Sequence, residues 1–167
     1  MSISKRRIPP GPGQESVWDY PRPPRIEAFD GTIQIYALGE LIAQTRKAFR
    51  ILETSHPPTY YLPPEDIRMD WMVAHARQSS FCEWKGAAHY YDLQIGDNQI
   101  EKLAWAYAQP TGIYSDLKDH LAFYAHKTDK CLVNGEVVTP QPGNFYGGWI
   151  TPNIVGPFKG GPGSWGW

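Results

Sequence analysis

Long apolar runs are missing from this chain, and so is any excess of charge of one sign. No stretch approaches the roughly 20 consecutive apolar residues that a bilayer-spanning helix needs. The basic N-terminus (Lys5, Arg6, Arg7) is followed by Pro9, Pro10, Gly11 and Pro12, where a signal peptide would carry its apolar core. The expectation is a cytoplasmic protein with no membrane partner. A formal net charge of −1 supplies no global attraction to nucleic acid or to anionic lipid. Stacked aromatics can bind single strands, but they need a basic groove, and basic residues cluster mainly at the N-terminal arm and around Arg46, Lys47 and Arg50. Nucleic acid is therefore not an expected partner.

Cysteine is equally scarce. Cys82 and Cys131 stand alone and far apart, which excludes a disulfide scaffold and the paired Cys-x-x-Cys spacing of structural zinc sites. Two free thiols are expected in a reducing compartment. His56, His75, His89, His120 and His126 are scattered, with no i, i+4 pair on a helix and no cysteine beside them, so no metal is expected. No cofactor is identified by any motif.

Aromatic residues, in contrast, are plentiful at 14%, while charged residues reach only 20%. Aromatic and β-branched side chains pack well on pleated surfaces, so the balance favours strands. A length of 167 residues fits one domain with a core of its own.

The chain divides by composition into three parts. Residues 1–25 are rich in proline, which fixes φ and removes backbone donors, and read as an extended arm anchored by Trp18 and Tyr20. Residues 26–138 carry the strand patterns. Ile33, Ile35 and Ala37 alternate with polar or aromatic neighbours and turn through Leu38-Gly39-Glu40 into a hairpin partner. Arg46–Glu53 and Thr59–Leu62 read as further strands. The clearest is Ala87–Ile95, with Ala87, His89, Tyr91, Leu93 and Ile95 on one face. Leu103–Tyr107 and Leu121–Tyr124 follow, separated by a short helix over Ile113–His120 suggested by Ile113, Leu117 and Leu121 at i, i+4, i+8. Asn134-Gly135 between two apolar runs predicts a type I′ hairpin. Residues 139–167, crowded with Gly and Pro and carrying Trp149, Trp165 and Trp167, are expected to form no regular element. They read as a strap pinned on the domain or on a second subunit, which leaves a homodimer through the strap open.

The order Arg46, Leu52-Glu53, Pro57-Pro58, Tyr60-Tyr61, Pro63, Asp66, then Cys82, Trp84-Lys85-Gly86, Tyr90, then Trp105, Tyr107, Pro110 and Phe123-Tyr124 resembles a bacterial family, domain of unknown function 427. The resemblance covers roughly residues 30 to 138. It implies a mainly β fold, a compact antiparallel domain of β-tent or Mss4-like architecture. Many β-tent proteins hold zinc through two Cys-x-x-Cys pairs; this sequence has none, so zinc is not carried over. Some labels of the family mention nucleotidyl transfer, which would need a Gly-Ser turn followed by paired acids at two metal ions. Gly163-Ser164 has no acid after it, and Asp66/Asp70 and Asp116/Asp119 read as solvated charge.

A small-molecule site is the leading expectation. Tyr60, Tyr61, Trp84, Tyr90 and Trp105 would supply rings, Arg50, Glu53 and Lys85 orientation and charge, and Cys82 a place on the same turn. An enzyme reading uses the same turn: a cation beside Cys82 would favour its thiolate, and burial of Lys85 would make it a base or Schiff-base former, with Glu53 as partner. A third reading makes the two terminal arms grip a protein partner.

Overall fold

The computed structural model describes residues 7–82, 85–143 and 145–167; the side chains of 76–81 stand outside that description. The chain is mainly β, with open antiparallel sheets and no closed barrel among the described residues. In order it forms β1 (Glu15–Ser16), β2 (Arg25–Phe29), β3 (Ile33–Ala37), β4 (Glu40–Thr45), β5 (Ala48–Leu52) and β6 (Thr59–Tyr61). The long strands β7 (Met72–Cys82), β8 (Gly86–Ile95) and β9 (Asn98–Tyr107) follow, then β10 (Leu121–Phe123), β11 (Lys130–Val133) and β12 (Glu136–Val137). Two-residue strands β13 (Thr139–Pro140), β14 (Trp149–Ile150) and β15 (Ile154–Val155) end the series.

Three sheets enclose the core: β12-β11-β3-β4, β2-β5-β6 and β10-β9-β8-β7. The last two are stitched by Leu62 and Leu121, which exchange backbone hydrogen bonds of 2.8 and 2.9 Å. Alternation in β3 buries Ile33, Ile35 and Ala37 as the period of two requires. Asn134 and Gly135 adopt φ of 51° and 81° between β11 and β12, the two positive values that a type I′ turn demands.

The face assignment of β8 needs correction. Ala87 and His89 are exposed and Ala88 is buried, while Leu93 is fully buried. The register against β9 shifts by two residues here: Tyr91 faces Ala104 and Leu93 faces Ile100, so Asp92 alone opposes three β9 residues and the alternation breaks. Asp92 sits in this bulge, where its carboxylate meets His75 Nδ1 at 2.8 Å and accepts from the Lys102 backbone N–H at 2.8 Å. The expected helix is likewise a 3-10 helix, Gly112–Leu117, burying Tyr114 and Leu117 three apart and leaving Ile113 exposed.

Both termini form more structure than proline and glycine suggest. β1 pairs in parallel with β15, and β13 antiparallel with β14. Two-residue ladders need few donors, so neighbouring Pro and Gly do not forbid them. Val17, Tyr20, Leu52 and Ile154 form a satellite cluster beneath this pairing. Arg50, buried on β5, fixes the arm: its guanidinium donates to Glu15 at 2.8 Å and to Glu27 at 2.7 Å. Burial alone would raise the pKa of Glu15, but the Tyr20 hydroxyl and Arg50 together hold it below its ordinary value.

Breaking a fully buried pair costs about 3–5 kcal/mol. Glu15 and Glu27 keep 38% and 37% of their side chains exposed and can rehydrate. Arg50→Met is therefore expected to lose about 2 kcal/mol, read as a lower urea midpoint at unchanged slope. An unchanged midpoint would mean that the arm is not anchored through this residue.

Candidate functional site

The sheets leave a cavity of about 520 Å³ on the face of β5-β6 turned away from the main core. Its position follows from pairing register. Phe49 faces Tyr61 and Ile51 faces Thr59 across β5-β6, whereas Arg50 faces Tyr60. Because the side-chain period is two, the first set points one way and the second the other. Ile51, Thr59 and Tyr61 line the cavity. Tyr60 lies in the main core against Trp149, with ring centroids 5.2 Å apart, and Arg50 holds the arm. Neither expected site residue reaches the cavity.

β9 divides in the same way. Ala104 and Ala106 enter the main core, while Trp105 and Tyr107 enter a second cluster that forms the cavity wall. The Trp105 ring lies 4.5 Å from that of Tyr124, and its Nε1 donates to the Tyr61 hydroxyl at 3.3 Å. Burial raises the pKa of Tyr61, Tyr107 and Tyr124, so all three hydroxyls stay protonated. Cys82 and Lys85, from the β7-β8 connection, and Tyr90, on β8, complete this wall. Trp84 lies outside the described residues.

Lys85 is only 8% exposed. A lysine so far buried is ordinarily paired. No ion pair joins it to Glu53, whose carboxylate instead lies 3.5 Å from Arg22 Nε and 3.5 Å from His56 Nε2. The Lys85 amine stands 5.9 Å from the centre of the Tyr107 ring.

His56 is a site residue that sequence reasoning did not single out. Its tautomer is fixed by Gln141. The Gly148 N–H donates to Gln141 Oε1 at 3.1 Å, and Gln141 Nε2 donates to the Lys159 carbonyl at 2.8 Å. A backbone N–H can only donate and a carbonyl only accept, so the amide orientation is settled. The second amide hydrogen faces His56 Nδ1 at 3.2 Å, which must accept it. The His56 proton therefore sits on Nε2 and points at Glu53. Burial, followed by the nearby charges of Lys159, Arg22 and Lys85, pushes the imidazole pKa down to about 3, so the ring is neutral.

The remaining wall comes from the C-terminal strap: Gln141, Phe145, Tyr146, Gly147 and Lys159. Gly147 rests directly on the Trp105 indole, leaving no space for a side chain between them. The signal for these residues was the surplus of aromatics in a segment too irregular to be placed. Lys102 and Lys127 also line the cavity, with Lys102 Nζ 5.4 Å from the Tyr90 ring centre. Both cysteines are free, and burial pushes the Cys131 thiol up to about 12. Among the described residues no three His, Cys, Asp or Glu side chains gather as a metal site would require, and no helix is long and apolar enough to cross a membrane.

Residues 25–134 match the family described as "Domain of unknown function (DUF427)". The chain belongs to this family. No curated protein matches it. The DUF427 segment supplies β2 through β11 and the cavity walls from Ile51 to Lys127. The strap residues that complete the cavity fall outside the matched DUF427 segment.

Proposed function

We propose that this DUF427 protein is a cytoplasmic small-molecule-binding β domain and that the cavity between β6, β9 and the strap is its ligand site. The observation that carries the reading is a cavity of about 520 Å³ with seven aromatic side chains among the described residues of its lining and the largely buried Lys85 at its wall. Its volume lies within the range of about 300–1,000 Å³ typical of ligand pockets, and an apolar lining with a few convergent polar groups is their usual chemistry. Grouping the open antiparallel sheets with the β-tent architecture belongs to the same proposal.

Native mass spectrometry of the gently purified full chain, before and after denaturation, tests it. A bound mass that is lost on denaturation, and missing from Trp105→Ala, is the expected result. A clean apo mass combined with no thermal shift across a broad ligand screen would overturn it. The same spectrum reads a homodimer through the strap, for which exposed Phe145 and Trp165 are available apolar groups.

A Lys85-dependent enzyme is the second reading. It is favoured by the burial of that amine on the wall it shares with Cys82. Borohydride trapping of an aromatic aldehyde on Lys85 would support it, and equal turnover by Lys85→Arg would remove it.

A further inference from the structure

The charge of the lining is lopsided. Among the described residues, four lysines (Lys85, Lys102, Lys127 and Lys159) face the cavity against a single carboxylate, Glu53. Glu53 already has Arg22 and the Nε2–H of His56 beside it. Among the described residues, none of the four lysines forms an ion pair with an acidic side chain. Lys127 donates to the Glu101 carbonyl at 2.8 Å, and Lys159 stands 3.4 Å from a main-chain oxygen of Trp167. Lys85 is the most constrained of them: more than nine-tenths buried, at the cavity wall, with only the face of Tyr107 as a described partner for its charge.

The uncharged groups point the same way. Tyr61 accepts from Trp105, which frees its own hydroxyl hydrogen to donate. Burial keeps Tyr107 and Tyr124 protonated, and their hydroxyls are bonded to those of Tyr61 and Tyr90 within the wall. The described wall carries more cationic than anionic side chains, while the Trp105–Tyr124 pair offers apolar ring area. Cations beside an aromatic wall complement a ring that carries an anionic group.

We propose that the cavity takes an aromatic anion, its planar ring against Trp105 and Tyr124 and its carboxylate, sulfonate or phosphate-type group held by Lys85. The assignment rests on the small-molecule reading above and names the ligand class of that site. The ligand anion supplies the countercharge that Lys85 lacks among the described residues, in a setting where desolvation strengthens the pairing.

Two fluorescent probes that share a ring system separate the possibilities: 8-anilinonaphthalene-1-sulfonate and its uncharged analogue N-phenyl-1-naphthylamine, each titrated into the full chain with near-ultraviolet circular dichroism as the check on native packing. The expected result is one sulfonate probe per chain, bound at least tenfold more tightly than the neutral analogue, with an affinity that falls as salt is raised. Lys85→Met should weaken the sulfonate probe at least tenfold and move the neutral one less than twofold. Should that variant fail to fold, the wild-type comparison and its salt dependence decide alone. Equal affinity for both probes, indifferent to salt, would overturn the anion assignment and leave a site for neutral aromatics. If neither probe binds and the native mass is clean, the small-molecule reading itself falls.

Discussion

Trp149→Ala is expected to destabilise the protein by about 3–5 kcal/mol, the usual loss for a large aromatic truncated in a packed core. Trp149 belongs to the strap, yet it is 1% exposed and sits in the main cluster with Ile33, Ile35, Leu62 and Phe123. Its indole Nε1 donates to the Phe123 carbonyl at 3.0 Å and its backbone N–H to the Pro58 carbonyl at 2.8 Å. Truncation leaves a cavity and an unmet carbonyl together. Since small domains hold only about 5–15 kcal/mol in total, one residue outside the family segment carries a large share of the margin. Deleting residues 139–167 removes Trp149, Ile154 and the partner of β1 at once, and the remainder should lose cooperative urea unfolding. A truncated chain that still unfolds cooperatively would show the strap to be an appendage, and would return it to the role of a partner-gripping arm.

The strap marks the boundary of what the residues alone reveal. Short-range signals were legible: the period of two in β3, the Asn134-Gly135 turn and the aromatic β6 all form as their local chemistry demands. Register was not. Arg50 and Ile51, or Tyr60 and Tyr61, are neighbours in sequence and point to opposite faces, and which face borders a cavity depends on what the sheet packs against. Six of the nine residues expected at the site do line the cavity: Glu53, Tyr61, Cys82, Lys85, Tyr90 and Trp105. Arg50 and Tyr60 go to the other face, and Trp84 is outside the described residues. The bulge at Asp92 was hidden because its cause, a carboxylate meeting His75 and a Lys102 backbone N–H, joins positions distant in sequence. His56 and Gln141 were hidden for the same reason: their chemistry exists only once the strap folds back onto the β5-β6 connection.

Acidification is expected to destabilise the protein well before its carboxylates protonate, and His56 is the cause. In the unfolded chain its pKa is near the ordinary histidine value of 6.5; in the fold it is about 3. Above pH 6.5 the ring is neutral in both states and the full stability is present. As pH falls below 6.5 the unfolded chain takes up a proton that the folded one refuses. Stability then drops by up to about 1.4 kcal/mol per pH unit until the folded pKa is reached. His126, also lowered by burial and by Lys127, adds in the same direction. Glu15, held below its ordinary value, contributes only at lower pH, as protonation approaches the usual carboxylate range near 4.5. The interval from pH 6.5 to 5 therefore isolates the histidines. Over it the wild type should lose about 2 kcal/mol in urea unfolding, and His56→Gln, which keeps a donor toward Glu53 but cannot titrate, should lose much less. The groups facing the ring decide the outcome: Lys159, Arg22 and Lys85 oppose its protonation, and Glu53 favours it. An unchanged slope in His56→Gln would mean that Glu53 wins and the imidazole is already charged in the fold. A charged ring would have to donate from Nδ1 as well, which the Gln141 amide, held by Gly148 and Lys159, cannot accept. Mild acid thus reports on the same hydrogen-bond chain that ties the strap to the cavity wall.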